Sequence, residues 1–364
     1  MSFNLSSDSN TTTSLSTQNQ RCVILDDSLA VQICQFLALS IVLLAGLAGN
    51  ILIILTVLMG QKLKKTVNYF ILNMAVSDLL FPLTIIPLRL TEITSHSLHW
   101  FIPGTAGLVL CKIIRFAEHL SISVSVQSLM WIALDRFLAV VLPMKVYLIS
   151  PKFRATAIIA SWIIAGITNS TDLFSYGLLK ENKELTRCIY FENKTDLNFI
   201  SGKAHIYIFH VLPIIALMIS YCIIVVTLKK RDKLLGPAVG HSPNSNKDRR
   251  KRQAIKMSLC IMASFCICTI PLTAQNVIDL YKINVPCKVY RPVRFISYLI
   301  YYMCSAVNPI ICLAFVQSYR DSLRKFFKSC LDSCPEEVSK VNDIEINGGD
   351  GIILLSVRVF SRTD

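Results

Sequence analysis

Asp135-Arg136-Phe137 closes a long apolar stretch that begins near Leu108. Ionised side chains at mid-bilayer are costly, so an acid–base pair at such a point belongs at the end of a membrane helix or marks function. Cys111 stands about 25 residues earlier, roughly 37 Å along a helix at ~1.5 Å per residue, more than the ~30 Å hydrocarbon thickness. If Cys111 faces outside, Arg136 faces the opposite compartment. Asp78, within Leu72-Asn73-Met74-Ala75-Val76-Ser77-Asp78-Leu79-Leu80, falls near the middle of its own apolar run. Ser125, Ser305, Asn308 and Asn50 lie at matching depths in other runs. Together they suit a cation, sodium in particular, or a water cluster; the alternative is a hydrogen-bonded structural aspartate.

The elements that position these groups are seven apolar runs, at about 33–59, 68–94, 108–141, 153–174, 204–228, 254–281 and 293–314. With 53% hydrophobic residues and a mean hydropathy of +0.53, a polyhelical membrane protein is the reading that fits, since lipid requires backbone polar groups to be satisfied internally. The net charge of +14 does not point to nucleic acid, because the cations cluster in alternate loops: Lys62, Lys64 and Lys65; Lys145, Lys152 and Arg154; the stretch from Lys229 to Lys256; and Arg320 to Lys328. The positive-inside bias places these loops in the cytoplasm and the N-terminus outside, as in a plasma-membrane protein. Pro213, Pro271 and Pro309 interrupt three adjacent runs and permit hinges. The expected architecture is an all-α seven-transmembrane helix bundle over 33–314. It follows a polar extracellular N-terminus (1–32) and precedes an amphipathic membrane-surface helix (315–330) and a cytoplasmic tail (331–364).

The N-terminal segment carries glycosylation sequons at Asn4 and Asn10, and Asn193 forms another after the fourth run. It has no basic start followed by an apolar core, so the first run is expected to act as the insertion signal. Of thirteen cysteines, Cys22, Cys111, Cys188 and Cys287 fall on the oxidising face. Cys111 opens the third run and Cys188 sits in the loop before the fifth, a natural pair; Cys22 and Cys287 are the remaining two. Cys330 and Cys334 lie just beyond the last run, where palmitoylation is expected.

Asn50, the stretch around Asp78, Cys111 with Cys188, Asp135-Arg136-Phe137, Trp162, Pro213 with Tyr221, Phe265/Cys268/Pro271 and Asn308-Pro309 occur in order and at spacing that resembles the rhodopsin-like G-protein-coupled receptors, from about 33 to 330. The resemblance implies a receptor without active-site chemistry that acts on a heterotrimeric G protein, with arrestin and receptor kinases as further partners. It implies that Asp135, Arg136, Tyr221, Phe265, Pro271, Asn308 and Pro309 carry activation. Two departures stand out. Thr269 occupies the position usually held by a tryptophan, and Cys312 the position of the tyrosine in Asn-Pro-x-x-Tyr. Both put the usual relay in doubt and leave open a receptor-shaped protein that signals poorly.

By the same resemblance, ligands bind between the outer halves of the spans. Glu118 sits where amine receptors carry an aspartate, and a carboxylate there favours a cationic ligand group. The alternatives are an internal pair with Arg89 or Arg115, or a protonated carboxyl bonded to Tyr302. His119, Gln275, Asn276, Arg294 and Tyr298 join Glu118, Arg89 and Tyr302 as candidate contacts. Amine binding is disfavoured by His205, Phe209 and Leu299, and retinal binding by Tyr302 in place of the lysine. Trp100, Pro87, the long second outer loop, the additional cysteine pair and the mixed charges at the rim resemble the peptide receptors, so a neuropeptide-type ligand is expected, with an amine or other small cation as the alternative. A transporter or channel would suit Asp78, but no internal repeat and no line of acids crosses the runs.

On the cytoplasmic side, the polar Lys229–Lys256 stretch serves as a topology signal, an anionic-lipid contact or a docking rim for an acidic partner. Phe315, Tyr319, Leu323, Phe326 and Phe327 recur at helical spacing among basic residues, as in a helix lying on lipid. Arg136 is expected to pair with Asp135 at rest. No acid stands at the base of the sixth run, where Lys251 would repel Arg136, so the latch is expected to be loose. The tail beyond Cys334 has no assigned role.

Overall fold

The computed structural model describes residues 28–59, 66–95, 100–180, 186–190, 207–234, 246–281, 283, 285–315 and 317–333. Seven helical spans form one bundle. The first is Leu29–Met59. The second is built from Thr66–Asp78, Leu80–Leu83 and Ile85–Thr94. The third is Gly104–Val140. The fourth is Pro151–Asn169, with an added turn at Asp172–Ser175. The fifth is Leu212–Leu234, entered through a π-turn at Tyr207–Val211. The sixth is Asn246–Leu280 and the seventh Cys287–Phe315. A terminal helix, Gln317–Ser333, follows.

Six of these spans are long and apolar enough to cross a membrane; the third is the exception. Its composition follows from its place. It packs against the second, fourth and fifth spans, so much of its surface meets protein rather than lipid. It can therefore carry Ser121, Ser123, Ser125 and Ser128, all buried, which would be unfavourable on a lipid-facing helix. The first span shows the opposite pattern: Leu37, Ile41, Leu44 and Ile51 are exposed on its outer face, where lipid covers them.

Helix breaks have local causes. Pro82 and Pro87 cannot donate to the Asp78 and Leu83 carbonyls, and the second span divides around them at Leu79 and Thr84. Pro213 stands at the start of the fifth helix, directly after the π-turn. Pro271 and Pro309 lie inside helices that continue through them, as does Pro292. Ser150 caps the fourth helix by accepting from the Phe153 amide at 3.1 Å, with Pro151 at the first helical position.

The first and seventh spans approach closely at glycine. A Cβ on Gly49 would stand 2.9 Å from the Pro309 ring, so any larger residue there would force the helices apart. Asn50 fastens the same seam, its Nδ2 donating to the Gly46 carbonyl at 2.9 Å and the Ser305 carbonyl at 3.0 Å.

The all-helical expectation needs one addition. In the outer loop after the fourth span, β1 (Tyr176–Lys180) and β2 (Thr186–Tyr190) form an antiparallel hairpin, with Leu178 opposite Cys188. Cys188 is disulfide-bonded to Cys111 at the top of the third span, so the hairpin is fixed over the bundle. The Trp100 amide donates to the Thr186 carbonyl at 2.7 Å and ties the preceding outer loop to the same hairpin.

Candidate functional site

The polar side chains fall at three depths. At mid-bundle, Asp78 accepts hydrogen bonds from the Ser125 hydroxyl and from Asn308 Nδ2, the latter at 2.9 Å. Ser125 also meets Ser77 at 2.8 Å, and Ser121 donates to the Ser77 carbonyl at 2.7 Å. Asp78, Ser125 and Asn308 therefore come together from the second, third and seventh spans. Asn50 and Ser305 do not bond the carboxylate. Asn50 bridges to the Ser305 backbone, and the Ser305 hydroxyl donates to the Tyr302 carbonyl at 3.0 Å. Asn308 Oδ1 is buried without a hydrogen-bond partner among the described residues. A carboxylate next to an oxygen that lacks a donor is a donor set that fits a monovalent cation. Below it, Asn73 joins three spans, donating to Ser128 at 2.9 Å and accepting from Trp162 Nε1 at 2.8 Å.

The outer half is crowded with charge. Glu118, on the third span, is buried and paired with Arg115 at 3.0 Å. Of the arrangements open from sequence, this is the internal ion pair. Arg89 pairs with Glu92 at 2.7 Å and lies over the Tyr298 ring, with its Nε 3.5 Å from the Tyr302 hydroxyl. Arg294 flanks the same Tyr298 ring, bonds the Tyr290 hydroxyl and stands 3.6 Å from Asp279. Tyr290 in turn donates to Asp279 at 2.9 Å. His119 turns toward the fourth span, its Nδ1 2.8 Å from Asp172. Gln275 is buried and Asn276 half-buried on the sixth span. Arg115 also lies over Tyr176 of β1; burial pushes the Tyr176 phenol above its ordinary value, against the pull of that guanidinium.

At the opposite end of the bundle, Arg136 pairs with Asp135 at 2.7 Å, and its Nε is buried without a partner among the described residues. Tyr221 is buried close to Ser258 of the sixth span, whose hydroxyl donates to the Ala254 carbonyl at 3.0 Å. Phe265 is buried in the same core. Thr269, in the tryptophan position, is fully buried and donates to the Phe265 carbonyl at 2.8 Å. Beside Cys312 the space is taken from below: Tyr319 of the terminal helix is fully buried, its hydroxyl 3.4 Å from Asn68 Oδ1. The Lys251 side chain lies outside the described residues, as do Cys22, Asn4, Asn10, Asn193, Cys334 and the Cys330 side chain. Cys287 is disulfide-bonded.

Sequence reading missed Ser258, Tyr319 and Asp172 as partners. Ser258 and Asp172 have no local signal, because their contacts are between spans. The Arg89–Glu92 and Arg115–Glu118 pairs do have one, the three-residue spacing that places opposite charges on one helix face.

The sequence profile described as "7 transmembrane receptor (rhodopsin family)" matches residues 49–311. Among curated relatives, the galanin receptor type 2 of Rattus norvegicus is 27% identical over 85% of this chain and 79% of its own length. The substance-K receptor of Canis lupus familiaris is 23% identical over 83% and 77%. The allatostatin-A receptor of Bombyx mori is 25% identical over 78% and 76%.

Proposed function

The chain belongs to the rhodopsin family of seven-transmembrane, G-protein-coupled receptors, and from that footing we propose that the ligand bound in the outer half of its bundle is a peptide. The observation that carries this reading is the disulfide-fixed hairpin over an outer half of the bundle that holds three arginine–carboxylate pairs. Fixed charges concentrated at this end suit an extended polar ligand, and proteins named as galanin, substance-K and allatostatin-A receptors align with most of the chain. The basic loops support a plasma-membrane orientation with the N-terminus outside. Peptide binding at the outer end is coupled, through the sixth and seventh spans, to the Asp135–Arg136 pair at the cytoplasmic end. There the heterotrimeric G protein docks, and arrestin and receptor kinases meet the same face. A sodium ion held by Asp78, Ser125 and Asn308 would draw three spans together and favour the resting packing.

The test is guanine-nucleotide exchange in membranes bearing the full-length receptor, challenged with pooled linear peptides and, separately, with biogenic amines. Exchange driven by peptide pools is the expected result. Normal surface delivery with a response to amines alone, or to nothing, refutes it.

A further inference from the structure

We propose that the outer half of the bundle recognises a carboxylate of its peptide ligand, held by Arg115 and Arg89, and that Glu118 serves to position Arg115 rather than to grip a ligand cation. This rests on the peptide reading above and specifies the chemistry of the same site.

Each carboxylate is already paired: Glu118 with Arg115, Glu92 with Arg89, and Asp279 with both Tyr290 and Arg294. Two buried donors are not. Arg115 Nε and Gln275 Nε2 are buried without hydrogen-bond partners among the described residues. A buried donor with no acceptor is unfavourable, and a ligand that supplies acceptors removes that penalty.

Charge points the same way. Arg89 and Arg115 come from different spans, Arg89 over the Tyr298 ring and Arg115 over the Tyr176 ring. Arg89 and Arg294 lie over one tyrosine ring, at 5.4 and 5.6 Å from its centroid. An ammonium seeking Glu118 would have to displace Arg115, leaving a buried guanidinium without its counter-charge. A carboxylate needs no displacement. It adds a counter-charge between two like charges, and the planar guanidinium fork matches its two oxygens. The carboxylate comes either from the peptide C-terminus or from an aspartate or glutamate side chain.

Four pools of linear decapeptides decide this in the exchange assay on the full-length receptor: C-terminal acid or amide, each with or without Asp and Glu. Activity is expected only where a carboxylate is present. The acid pool without Asp and Glu, or the amide pool containing them, identifies the source. Replacing that carboxylate in a purified hit by carboxamide should lower potency about thirtyfold. Arg115→Gln, and the charge-neutral pair Arg115→Gln with Glu118→Gln, should cost the acid hit as much and cost its carboxamide form nothing further. Equal activity from the amide pool lacking Asp and Glu, or hits weakened by Glu118→Gln alone and dependent on their own Lys or Arg, overturns the proposal. If no pool acts on a receptor delivered normally to the surface, the peptide reading fails, and thermal unfolding of purified receptor with millimolar N-acetylleucine then decides the site alone. Stabilisation of wild type but not of the charge-neutral pair, and none by N-acetylleucinamide, supports a carboxylate site; no stabilisation overturns it.

Discussion

Tyr221 and Ser258 show how a polar contact between spans can stand in for an ion pair. Asp135 is the only ionic partner of Arg136 among the described residues. Tyr221 of the fifth span and Ser258 of the sixth, both buried, lie close to each other at this level. A neutral polar contact contributes no more than about 1 kcal/mol, less than a buried ion pair whose partner is removed, so the resting state is held weakly. Ser258→Ala should raise ligand-independent nucleotide exchange about fivefold, the factor that about 1 kcal/mol represents. Basal exchange is read against membranes lacking receptor. A rate for Ser258→Ala equal to that of wild type would remove this contact from the resting restraint. Thr269 works in the same direction. Its hydroxyl bonds within its own helix, and the aromatic mass near this depth lies instead on the second and seventh spans, where Phe81, Tyr301 and Tyr302 pack at 5.4 to 5.9 Å.

Among elements, the seventh span is held on one side by the first span and from below by the terminal helix. Gly49 permits the first contact, since a Cβ there would meet the Pro309 ring at 2.9 Å. Neither a proline ring nor a helix backbone can yield cheaply, so Gly49→Ala should destabilise the receptor by about 1–3 kcal/mol, the usual range for overpacking. A lowered unfolding temperature of the purified protein would register it, and an unchanged one would mean that the two helices separate freely. The terminal helix is fastened by Arg320, which donates to the Leu313 and Ala314 carbonyls at 2.7 Å and so satisfies the open end of the seventh helix. Tyr319 inserts under Cys312 and reaches Asn68 of the second span. Tyr319→Phe should cost less than about 1 kcal/mol, because the hydroxyl contact is long. Tyr319→Ala should cost about 3 kcal/mol or more through the cavity it leaves. Comparable unfolding temperatures for the two variants would show that the ring does not fill the space.

At the scale of the molecule, what was legible in the sequence depended on range. Span placement and the alternate basic loops could be read because lipid acts on every residue of a run, and the residue order alone records that. The Cys111–Cys188 bond could be read because few cysteines share the oxidising side. The hairpin was not foreseen, since Tyr176–Lys180 and Thr186–Tyr190 are short and carry no diagnostic turn. Nor was the burial of Tyr319, which the helical spacing of the terminal helix placed on the lipid side. Asp78 is an intermediate case: Ser125 and Asn308 could be named from depth, but whether Asn50 and Ser305 reached the carboxylate depended on helix rotation, and they do not. That arrangement sets the last prediction. Asp78 is the one carboxylate bonded at once to the third and seventh spans among the described residues, and Asn308 Oδ1 beside it lacks a donor. A cation there binds the folded bundle and not the unfolded chain, so it stabilises by mass action, about 1.4 kcal/mol at ten times its dissociation constant. Sodium chloride should therefore raise the unfolding temperature of the purified receptor above that in choline chloride of equal ionic strength. Asp78→Asn keeps the side-chain volume and an acceptor for Ser125 but removes the charge, and it should abolish the difference between the two salts. A sodium effect that persists in Asp78→Asn would place the cation elsewhere and leave Asp78 a purely structural carboxylate.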